Sequence, residues 1–169
     1  MSDQLSSQAD KKASTHEQLL TFIVNGEEYG VDILRVQEIR GWSNPMPIPN
    51  TPSYVKGVIN IRGDIVPIAD LRERLGLEHR AYGATTAVVV LRVMQGARHR
   101  IMGIVVDAMS DVTNVPTADI KPTPDFGAEA GAPLAKGIAT LPDKMVTILD
   151  VDQIFSLPAG VGPALDAAA

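Results

Sequence analysis

A repeated segment constrains the fold of this chain more than any other feature. The run KGVINIRGDIVPIADL, from Lys56 to Leu71, recurs eighty positions later as KGIATLPDKMVTILDV, and five of the sixteen aligned positions are identical. The identities include Gly57 with Gly137 and Asp70 with Asp150. A repeat of this kind indicates that one structural unit is present twice.

A second repeated block precedes the first in each half. At an offset of 73 residues, Gly30 aligns with Gly103 and Val31 with Ile104. Two blocks in the same order favour duplication over chance similarity between two valine-rich hairpins. Each half supplies about five short strands with Gly and Pro turns and one brief helix, the pattern of a small barrel or sandwich. We therefore predict a mainly β protein built from two small barrels.

The start of the first half predicts a hairpin followed by a helix. The runs LLTFIV and EEYGVDI flank Asn25-Gly26, which is a strong hairpin turn signal. Asp32 can cap a helix that runs to Arg40, and Gly41 can end it in a left-handed conformation. Leu34 lies off the apolar stripe of that helix, so the segment is either apolar on two sides or less regular.

A rigid connector and a second hairpin follow. Four prolines between positions 45 and 52 exclude a helix and hold the chain extended. The second hairpin turns at Arg62-Gly63-Asp64, and Pro67 restricts its second strand to a sheet edge or a bulge because proline lacks a backbone donor. Asp70 then caps the short helix LRERL, which Gly76 closes.

The second half repeats this order. The strands TTAVVVLRV and RIMGIVVD flank the turn QGARH. The segment Pro116–Pro133 is predicted to be a loop, because it is rich in Pro, Ala, Gly and acidic residues. Asp150 or Asp152 begins a short helix. The polar residues 1–17 predict a disordered tail, and residues 158–169 predict a frayed end.

The composition excludes several classes of protein. A formal net charge of −5 argues against binding to duplex nucleic acid, which needs a concentrated basic surface. The absence of cysteine excludes disulfides and thiolate metal sites. The apolar runs are far shorter than the roughly 20 residues that span a bilayer, and the first residues lack the apolar core of a secretory signal. We expect a cytoplasmic protein without direct membrane insertion. The clearest basic cluster, interpreted as a solvated hairpin tip, is Arg92, Arg98, His99 and Arg100.

The sequence contains no recognisable catalytic motif, phosphate-binding loop or HExxH metal motif. His16, His79 and His99 are each predicted to be surface residues without useful neighbours. Asp150 and Asp152 are better explained by a helix cap than by a metal site, because two aspartates do not satisfy a cation that wants six or more oxygens. We predict no catalytic residue, no metal and no cofactor.

Glu38 and Arg62 form the most informative pair of charged residues. Each lies beside an apolar segment, and the two meet if the predicted helix approaches the second hairpin. As a surface ion pair they would contribute only about 0 to 1 kcal/mol to stability. Only a role in binding would make them important.

Three long segments resemble the bacterial chemotaxis coupling protein family CheW. They are EEYGVDILRVQEIRGW, IPNTPSYVKGVINIRGDIVPIADLR and MGIVVDAMSDV, and the similarity runs from about Leu19 to Phe155. The resemblance implies two five-stranded SH3-like β-barrels with short helices. It places a CheW-like domain at residues 18–157, with approximate halves 18–83 and 84–157, and leaves open whether strands are exchanged between them.

The resemblance also implies a function. The family's members are non-catalytic cytoplasmic adaptors that join the tip of a membrane chemoreceptor to the histidine kinase CheA, whose regulatory domain has the same fold. In arrays of the family, adaptor and regulatory domain alternate in rings, each offering one barrel to its neighbour. Receptor helices dock in the groove between the barrels.

The positions that match the family's motifs predict which residues couple the receptor to the kinase, and we call these residues the coupling set. Core packing is the alternative explanation for four apolar residues of this set, which are Val36, Ile39, Met109 and Val112. No residue is assigned to the kinase alone. The alternative function is a small β-barrel that binds a ligand or single-stranded nucleic acid, which the 4% aromatic content makes less attractive because bases stack on aromatic side chains. The coupling set is Val36, Glu38, Ile39, Gly57, Arg62, Met109 and Val112.

Overall fold

The structure is a computed structural model that describes residues 15–123 and 134–155. Within these residues the α-helices are the single turns α1 (Leu71–Arg74) and α2 (Val151–Ile154), and 3₁₀ turns lie at Ile33–Arg35 and Thr117–Asp119. The mainly β prediction is confirmed. The strands are β1 (His16–Val24), β2 (Glu27–Asp32), β3 (Val36–Gly41), β4 (Val55–Ile61), β5 (Asp64–Asp70), β6 (Ala87–Gln95), β7 (Arg98–Val106), β8 (Ala108–Pro116), β9 (Ile120–Lys121), β10 (Ala135–Thr140) and β11 (Met145–Leu149).

The strands form two sheets. One has six strands in the order β8-β1-β2-β11-β10-β9, and the other has five in the order β3-β6-β7-β5-β4. Neighbouring strands are antiparallel except for two parallel pairs, β2 with β11 and β5 with β7. Each sheet therefore takes strands from both halves of the sequence. Closure of either sheet into a barrel stays a prediction.

The internal repeat is visible in the strand register. In the parallel pair β5–β7, Ile68 lies opposite Gly103. In the other parallel pair, Ile148 of β11 lies opposite Gly30 of β2. Each of these residues is the repeat mate of its counterpart in the other pair, so the two copies of the unit have exchanged the same strands with each other. The predicted duplication is confirmed at the level of register.

In the part of the chain that the structure describes, buried apolar side chains form three clusters. The largest contains residues of both sheets, such as Phe22 on β1 and Val89 on β6. A smaller cluster contains Val88 and other residues of the five-stranded sheet, and the third contains Leu19 and other residues of the six-stranded sheet. Because Val88 and Val89 enter different clusters, β6 is buried on both faces, which explains its unbroken apolar sequence.

Two aspartates begin the short helices, as predicted. Asp70 Oδ1 accepts a hydrogen bond of 2.9 Å from the Arg72 amide, and Asp150 Oδ1 accepts one of 3.1 Å from the Asp152 amide. These bonds satisfy amides that have no partner inside the helix. Asp150 is therefore a helix cap, which is the interpretation that the sequence favoured.

The helix predicted from Asp32 to Arg40 is wrong beyond its first turn. Asp32 Oδ1 does accept a hydrogen bond of 2.9 Å from the Leu34 amide, but the capped element is the 3₁₀ turn, and the chain continues as β3. Gly41 ends that strand and is not among the glycines with positive φ. The pairing of β3 with the valine-rich β6 satisfies its backbone groups, and this distant partner outweighs the local preference for helix.

Other local predictions are also corrected. Pro67 lies in β5, which is an interior strand, although pairing with β7 begins only at Ile68. The predicted disordered tail includes His16, but His16 lies in β1, where it is opposite Pro116 of β8. The predicted loop after Pro116 contains the second 3₁₀ turn and the short strand β9. By contrast, Asn25-Gly26 forms the predicted hairpin turn between β1 and β2, with φ of 56° and 78°.

The predictions for the rest of the chain lie outside the described residues. These are the remainder of the N-terminal tail (1–14), the end of the predicted loop (124–133) and the C-terminal segment (156–169). Among the described residues, no helix is long and apolar enough to cross a membrane.

Candidate interaction site

Arg62 and Glu38 meet, although Glu38 reaches Arg62 from the strand β3 and not from the predicted helix. Arg62 Nη2 lies 2.6 Å from Glu38 Oε1, and Arg40 Nη1 lies 3.7 Å from Glu38 Oε2. The Arg62 side chain is 68% exposed and that of Glu38 only 23%. Ion pairs with such an exposed member contribute about 0 to 1 kcal/mol to stability. The pair therefore orients a solvent-facing guanidinium more than it stabilises the fold.

The turn between β4 and β5 sets the position of Arg62. Arg62 and Gly63 have φ of 50° and 92°, and the Gly63 amide donates a 2.9 Å hydrogen bond to Asn60 Oδ1. Two successive residues with positive φ form the tight turn that matches the twist of a hairpin. Glu38 reaches this turn from β3, which lies at the opposite edge of the five-stranded sheet from β4. The ion pair therefore shows that this sheet curves strongly.

Ile39 and Val112 are equivalent exposed apolar residues on two edge strands. Each side chain is 47% exposed, and each lies at an edge of its sheet, Ile39 on β3 and Val112 on β8. Ile39 lies opposite Val89, and Val112 lies opposite Leu20. Each copy of the unit thus presents one branched apolar side chain to solvent at the same register position. Core packing does not explain these two residues.

Val36 and Met109 are the second pair of repeat mates, and they are less accessible. Val36 lies opposite Leu91, and Met109 lies opposite Phe22. Both Val36 and Met109 are half-buried and pack against the cluster shared by the two sheets. The core interpretation therefore accounts for much of each side chain. A contact between their exposed parts and a partner stays a prediction.

Gly57 is required by the backbone of β4. It is buried, it has a φ of 141°, and a Cβ built on it would lie 2.1 Å from the Met46 carbonyl oxygen. The Met46 carbonyl accepts a 2.9 Å hydrogen bond from the Val58 amide, so the connector lies directly against the strand. Register also shifts between Val55 and Gly57, which marks a bulge. This geometry gives Gly57 a role in folding, and its predicted role at a partner surface stays a prediction.

The turn between β10 and β11, which is the repeat mate of the Arg62 turn, carries a different ion pair. Lys144 Nζ, just before β11, lies 2.8 Å from Glu28 Oε2 on β2. The hydrogen bond to Glu28 raises the pKa of Lys144, and the Asp111 carboxylate adds to this shift. Asp111 is the repeat mate of Glu38. Both turns thus have a cation near an acidic residue of an edge strand. Only the turn between β4 and β5 has an arginine that binds this acidic residue directly.

The coupling set omitted another pair of repeat mates, Ile65 and Met145. Their side chains are 55% and 61% exposed, and they lie near the starts of β5 and β11. The signal was the repeat itself, since both copies place an apolar residue just after the hairpin turn, where solvent-facing strands usually carry polar residues. Each sheet therefore has an exposed apolar residue at its hairpin as well as one on its edge strand.

The prediction that no histidine has useful neighbours is wrong for His79. His79 Nδ1 lies 3.5 Å from Glu73 Oε2 and 3.8 Å from Asp70 Oδ2. The Tyr82 hydroxyl donates a 2.7 Å hydrogen bond to the same Asp70 oxygen. Burial raises the pKa of Asp70, and the Tyr82 hydrogen bond partly offsets that shift. Sequence spacing did not reveal this group because the segment from Gly76 to Tyr82 folds back over α1.

Asp152 ties α2 to the five-stranded sheet. Its carboxylate accepts hydrogen bonds of 2.9 and 3.0 Å from the Arg35 guanidinium and one of 2.7 Å from the Met94 amide. Burial raises the pKa of Asp152, but the hydrogen bonds from Arg35 and Met94 outweigh burial, so the pKa is lowered overall. A carboxylate with a lowered folded-state pKa stabilises the fold above its unfolded-state pKa of about 3.9, and this contribution is lost as pH falls through the folded-state value.

Replacing Asp152 with asparagine is expected to lower the free energy of unfolding at pH 7 by about 1 kcal/mol, because a charge-assisted hydrogen-bonded pair that is partly exposed is lost. The difference from the parent protein should shrink below about pH 4. Urea denaturation at pH 7 and at pH 3 measures both values. Asp119→Asn, at an exposed carboxylate on the second 3₁₀ turn, is the matched control. A loss of equal size at the two pH values would contradict the linkage.

Comparisons with known protein families, sequences and structures agree with one another. Residues 18–159 match the family described as CheW-like domain. The chain is 40% identical over 140 residues to chemotaxis protein CheW of Klebsiella aerogenes, covering 83% of this chain and 82% of that protein. It is 36% identical over 138 residues to CheW of Rhizobium meliloti, covering 82% and 86%. The crystal structure of scaffolding protein TtCheW from Thermoanaerobacter tengcongensis superposes with a TM-score of 0.76 at 28% identity, covering 87% and 97%.

Proposed function

This chain belongs to the CheW-like domain family, and we propose that it is a non-catalytic adaptor that couples chemoreceptors to the histidine kinase CheA. Its relatives are named as chemotaxis proteins and as a scaffolding protein, which supports a role as a chemotaxis adaptor. The specific proposal is that the tip of a receptor and the regulatory domain of the kinase bind different parts of its surface. It acts in the cytoplasm, at membrane receptor arrays that it reaches through these partners.

The exposed repeat mates Ile39 and Val112 carry this proposal. An apolar side chain on an edge strand is costly to leave in water, and a matched pair of them provides an apolar contact for a partner's helix. Arg62 is bound to Glu38, the neighbour of Ile39 on β3, although Glu38 and Ile39 point to opposite faces of that strand because they lie opposite Val90 and Val89. We infer that a receptor helix that packs on Ile39 at this sheet edge contacts the exposed Arg62 guanidinium at its rim. This combination of an apolar centre and a charged rim is typical of protein interfaces.

The exposed residues Ile65 and Met145 support two further contacts. Because they are repeat mates, each sheet offers a similar apolar position near its hairpin turn. A kinase regulatory domain of the same fold would find one such surface on either side of the adaptor. Several weak contacts of this kind reinforce one another once the components are held in an array.

Replacing Arg62 with alanine tests the role of the ion pair. In a reconstituted mixture of this chain, a chemosensory histidine kinase and a receptor cytoplasmic fragment, we expect receptor-dependent kinase activity to fall about tenfold, the effect of losing about 1.4 kcal/mol of coupling. The free energy of unfolding should change by less than about 1 kcal/mol because the side chain is exposed. The experiment therefore separates a loss of coupling from a loss of fold.

Arg98→Ala is the matched control, because Arg98 is also an exposed arginine beside a hairpin turn, between β6 and β7. It should leave kinase activity unchanged. Full activity of Arg62→Ala would remove Arg62 from the mechanism. Failure of the parent chain to bind either the kinase or the receptor fragment would overturn the adaptor proposal as a whole.

A further inference from the structure

Asp70, Glu73 and His79 bring three potential metal ligands together at the end of β5. One ligand atom from each residue lies within 4.8 Å of the other two. The measured separations from His79 Nδ1 are 3.5 Å to Glu73 Oε2 and 3.8 Å to Asp70 Oδ2. Ligands of a tetrahedral zinc ion lie about 2.0 to 2.2 Å from the metal and hence about 3.3 to 3.6 Å from one another. The group therefore needs only small side-chain movements to bind one ion.

The local charge favours a cation. The Asp70 side chain is 3% exposed and that of Glu73 is 17% exposed, and burial of carboxylates without compensation is unfavourable. Lys56 Nζ contacts Glu73 Oε2 and supplies one positive charge for the two carboxylates. Glu73 Oε2 is buried, and its polar neighbours are this ammonium and His79 Nδ1 at 3.5 Å. In the described part of the chain, the two carboxylates thus face only one ammonium.

The residues around the group are those that orient metal ligands. The Tyr82 hydroxyl hydrogen-bonds to Asp70 Oδ2, and the Tyr82 ring packs edge-on against the His79 ring with centroids 5.2 Å apart. Outer hydrogen bonds to ligating carboxylates fix their direction and strengthen metal binding. Tyr82 also stacks on Trp42, with ring centroids 3.9 Å apart. Trp42 is the single tryptophan of the chain, so its fluorescence reports on this group.

The repeat shows which of these residues the fold requires. Asp70 and its mate Asp150 both cap a helix, so that carboxylate is part of the duplicated scaffold. The positions that correspond to Glu73 and His79 at the offset of eighty are Gln153 and Ala159. The second copy forms its helix without either ligand. Glu73 and His79 are therefore additions to the first copy that folding of the unit does not need.

We propose that Asp70, Glu73 and His79 bind a divalent metal ion of the zinc class, with water completing a tetrahedral site. The imidazole nitrogen and the carboxylates suit zinc or cobalt better than calcium or magnesium, which prefer oxygen ligands only. The ion takes the place of Lys56 at Glu73 Oε2. Binding joins the segment from Gly76 to Tyr82 to α1, and it stabilises the folded state by mass action.

Titration of the full-length chain with zinc ions, followed by calorimetry and by Trp42 fluorescence, tests the site. We expect saturable binding of one ion per chain. In His79→Ala the affinity should fall at least about tenfold, because one ligand is lost. His99→Ala is the matched control, since His99 is exposed on β7, and it should bind as the parent does. Because the His79 side chain is 51% exposed, the variant should remain folded.

Two further measurements distinguish a metal site from a simple ion pair. Cobalt ions should give the intense visible absorption of a tetrahedral complex with the parent and not with His79→Ala. Lys56→Gln should bind zinc several-fold more tightly because the competing ammonium is removed. The proposal is overturned by the absence of saturable binding, by equal affinity in His79→Ala and the parent, by an equal loss in His99→Ala, or by weaker binding in Lys56→Gln.

Discussion

Replacing Gly57 with alanine is expected to lower the free energy of unfolding by about 3 kcal/mol or more. Two costs combine. A φ of 141° is strained for any residue with a Cβ, and that Cβ would lie 2.1 Å from the Met46 carbonyl oxygen, which is backbone and cannot rotate away. The Met46 carbonyl is held in turn by its hydrogen bond from the Val58 amide. Relief of the clash would separate the connector from β4.

Two other glycines provide comparisons for this predicted loss of stability. Gly137, the repeat mate, is not among the glycines with positive φ, and its added Cβ would lie 3.0 Å from the Lys121 carbonyl oxygen. Gly137→Ala should cost less, about 1 kcal/mol. Gly83 has nothing within 4 Å of an added Cβ, so Gly83→Ala should stay within about 0.5 kcal/mol of the parent. Urea denaturation should rank the three variants in this order, and equal midpoints for Gly57→Ala and Gly83→Ala would contradict it.

The same ranking separates folding from binding at Gly57. The family resemblance assigns Gly57 to a partner surface, but the residue is buried and its conformation is set by the connector. If Gly57→Ala lost receptor coupling only in proportion to its loss of folded protein, the backbone would account for the whole effect. Coupling measured at a temperature where the variant is fully folded makes that comparison.

Local signals in the sequence predicted the turns and caps correctly. The turn at Asn25-Gly26 and the helix cap at Asp70 each depend on residues one to three positions away. The interactions that form them therefore lie within a short stretch of sequence. The segment after Asp32 failed for the opposite reason. Its cap is real, but the apolar residues at positions 33, 36 and 39 fit a helix and a bulged strand equally well. The partner strand β6, some fifty residues away, decides between them.

The repeat predicted two equivalent units, but it did not predict that these units exchange strands. Equivalent residues at offsets of 73 and 80 show that two units exist, yet they do not show which strands pair with which. Ile68 pairs with Gly103 and Ile148 with Gly30, so each unit completes its sheet with strands of the other. Pairing within each half would have preserved every sequence identity as well. Only the three-dimensional register distinguishes these arrangements.

For the candidate site, the sequence suggested a contact between Glu38 and Arg62, but through a helix that does not form, and it did not show which apolar residues are exposed. Apolar periodicity shows that residues share a face, and it does not show whether that face is inside. A bulge between Val36 and Glu38 puts Val36 and Ile39 on the same face of β3, opposite Leu91 and Val89, yet Val36 packs on the shared cluster while Ile39 is 47% exposed. A bulge in the β1–β8 pairing does the same for Met109 and Val112.

Replacing both Ile39 and Val112 with glutamate is expected to weaken binding to a receptor cytoplasmic fragment by about 100-fold or more. Each substitution puts a charge into an apolar contact, and a cost of about 1.4 kcal/mol per site corresponds to tenfold in affinity. If both residues contact the same helix bundle from separate strands, their effects should add. Because each side chain is 47% exposed in the free protein, the glutamates stay hydrated there and the fold should be retained.

Single substitutions, a matched control and a stability measurement make this test decisive. Ile39→Glu and Val112→Glu should each weaken binding about tenfold, and circular dichroism with urea denaturation should show changes within about 0.5 kcal/mol. Met145→Glu introduces the same charge at an exposed apolar position near a hairpin turn, and it should leave receptor binding unchanged while it weakens binding to the kinase regulatory domain. A double variant that binds the receptor fragment like the parent would contradict the assignment of these repeat mates to the receptor. A double variant no weaker than Ile39→Glu alone would restrict the receptor contact to one copy of the repeat, because only additive losses require both edge strands to face the same partner.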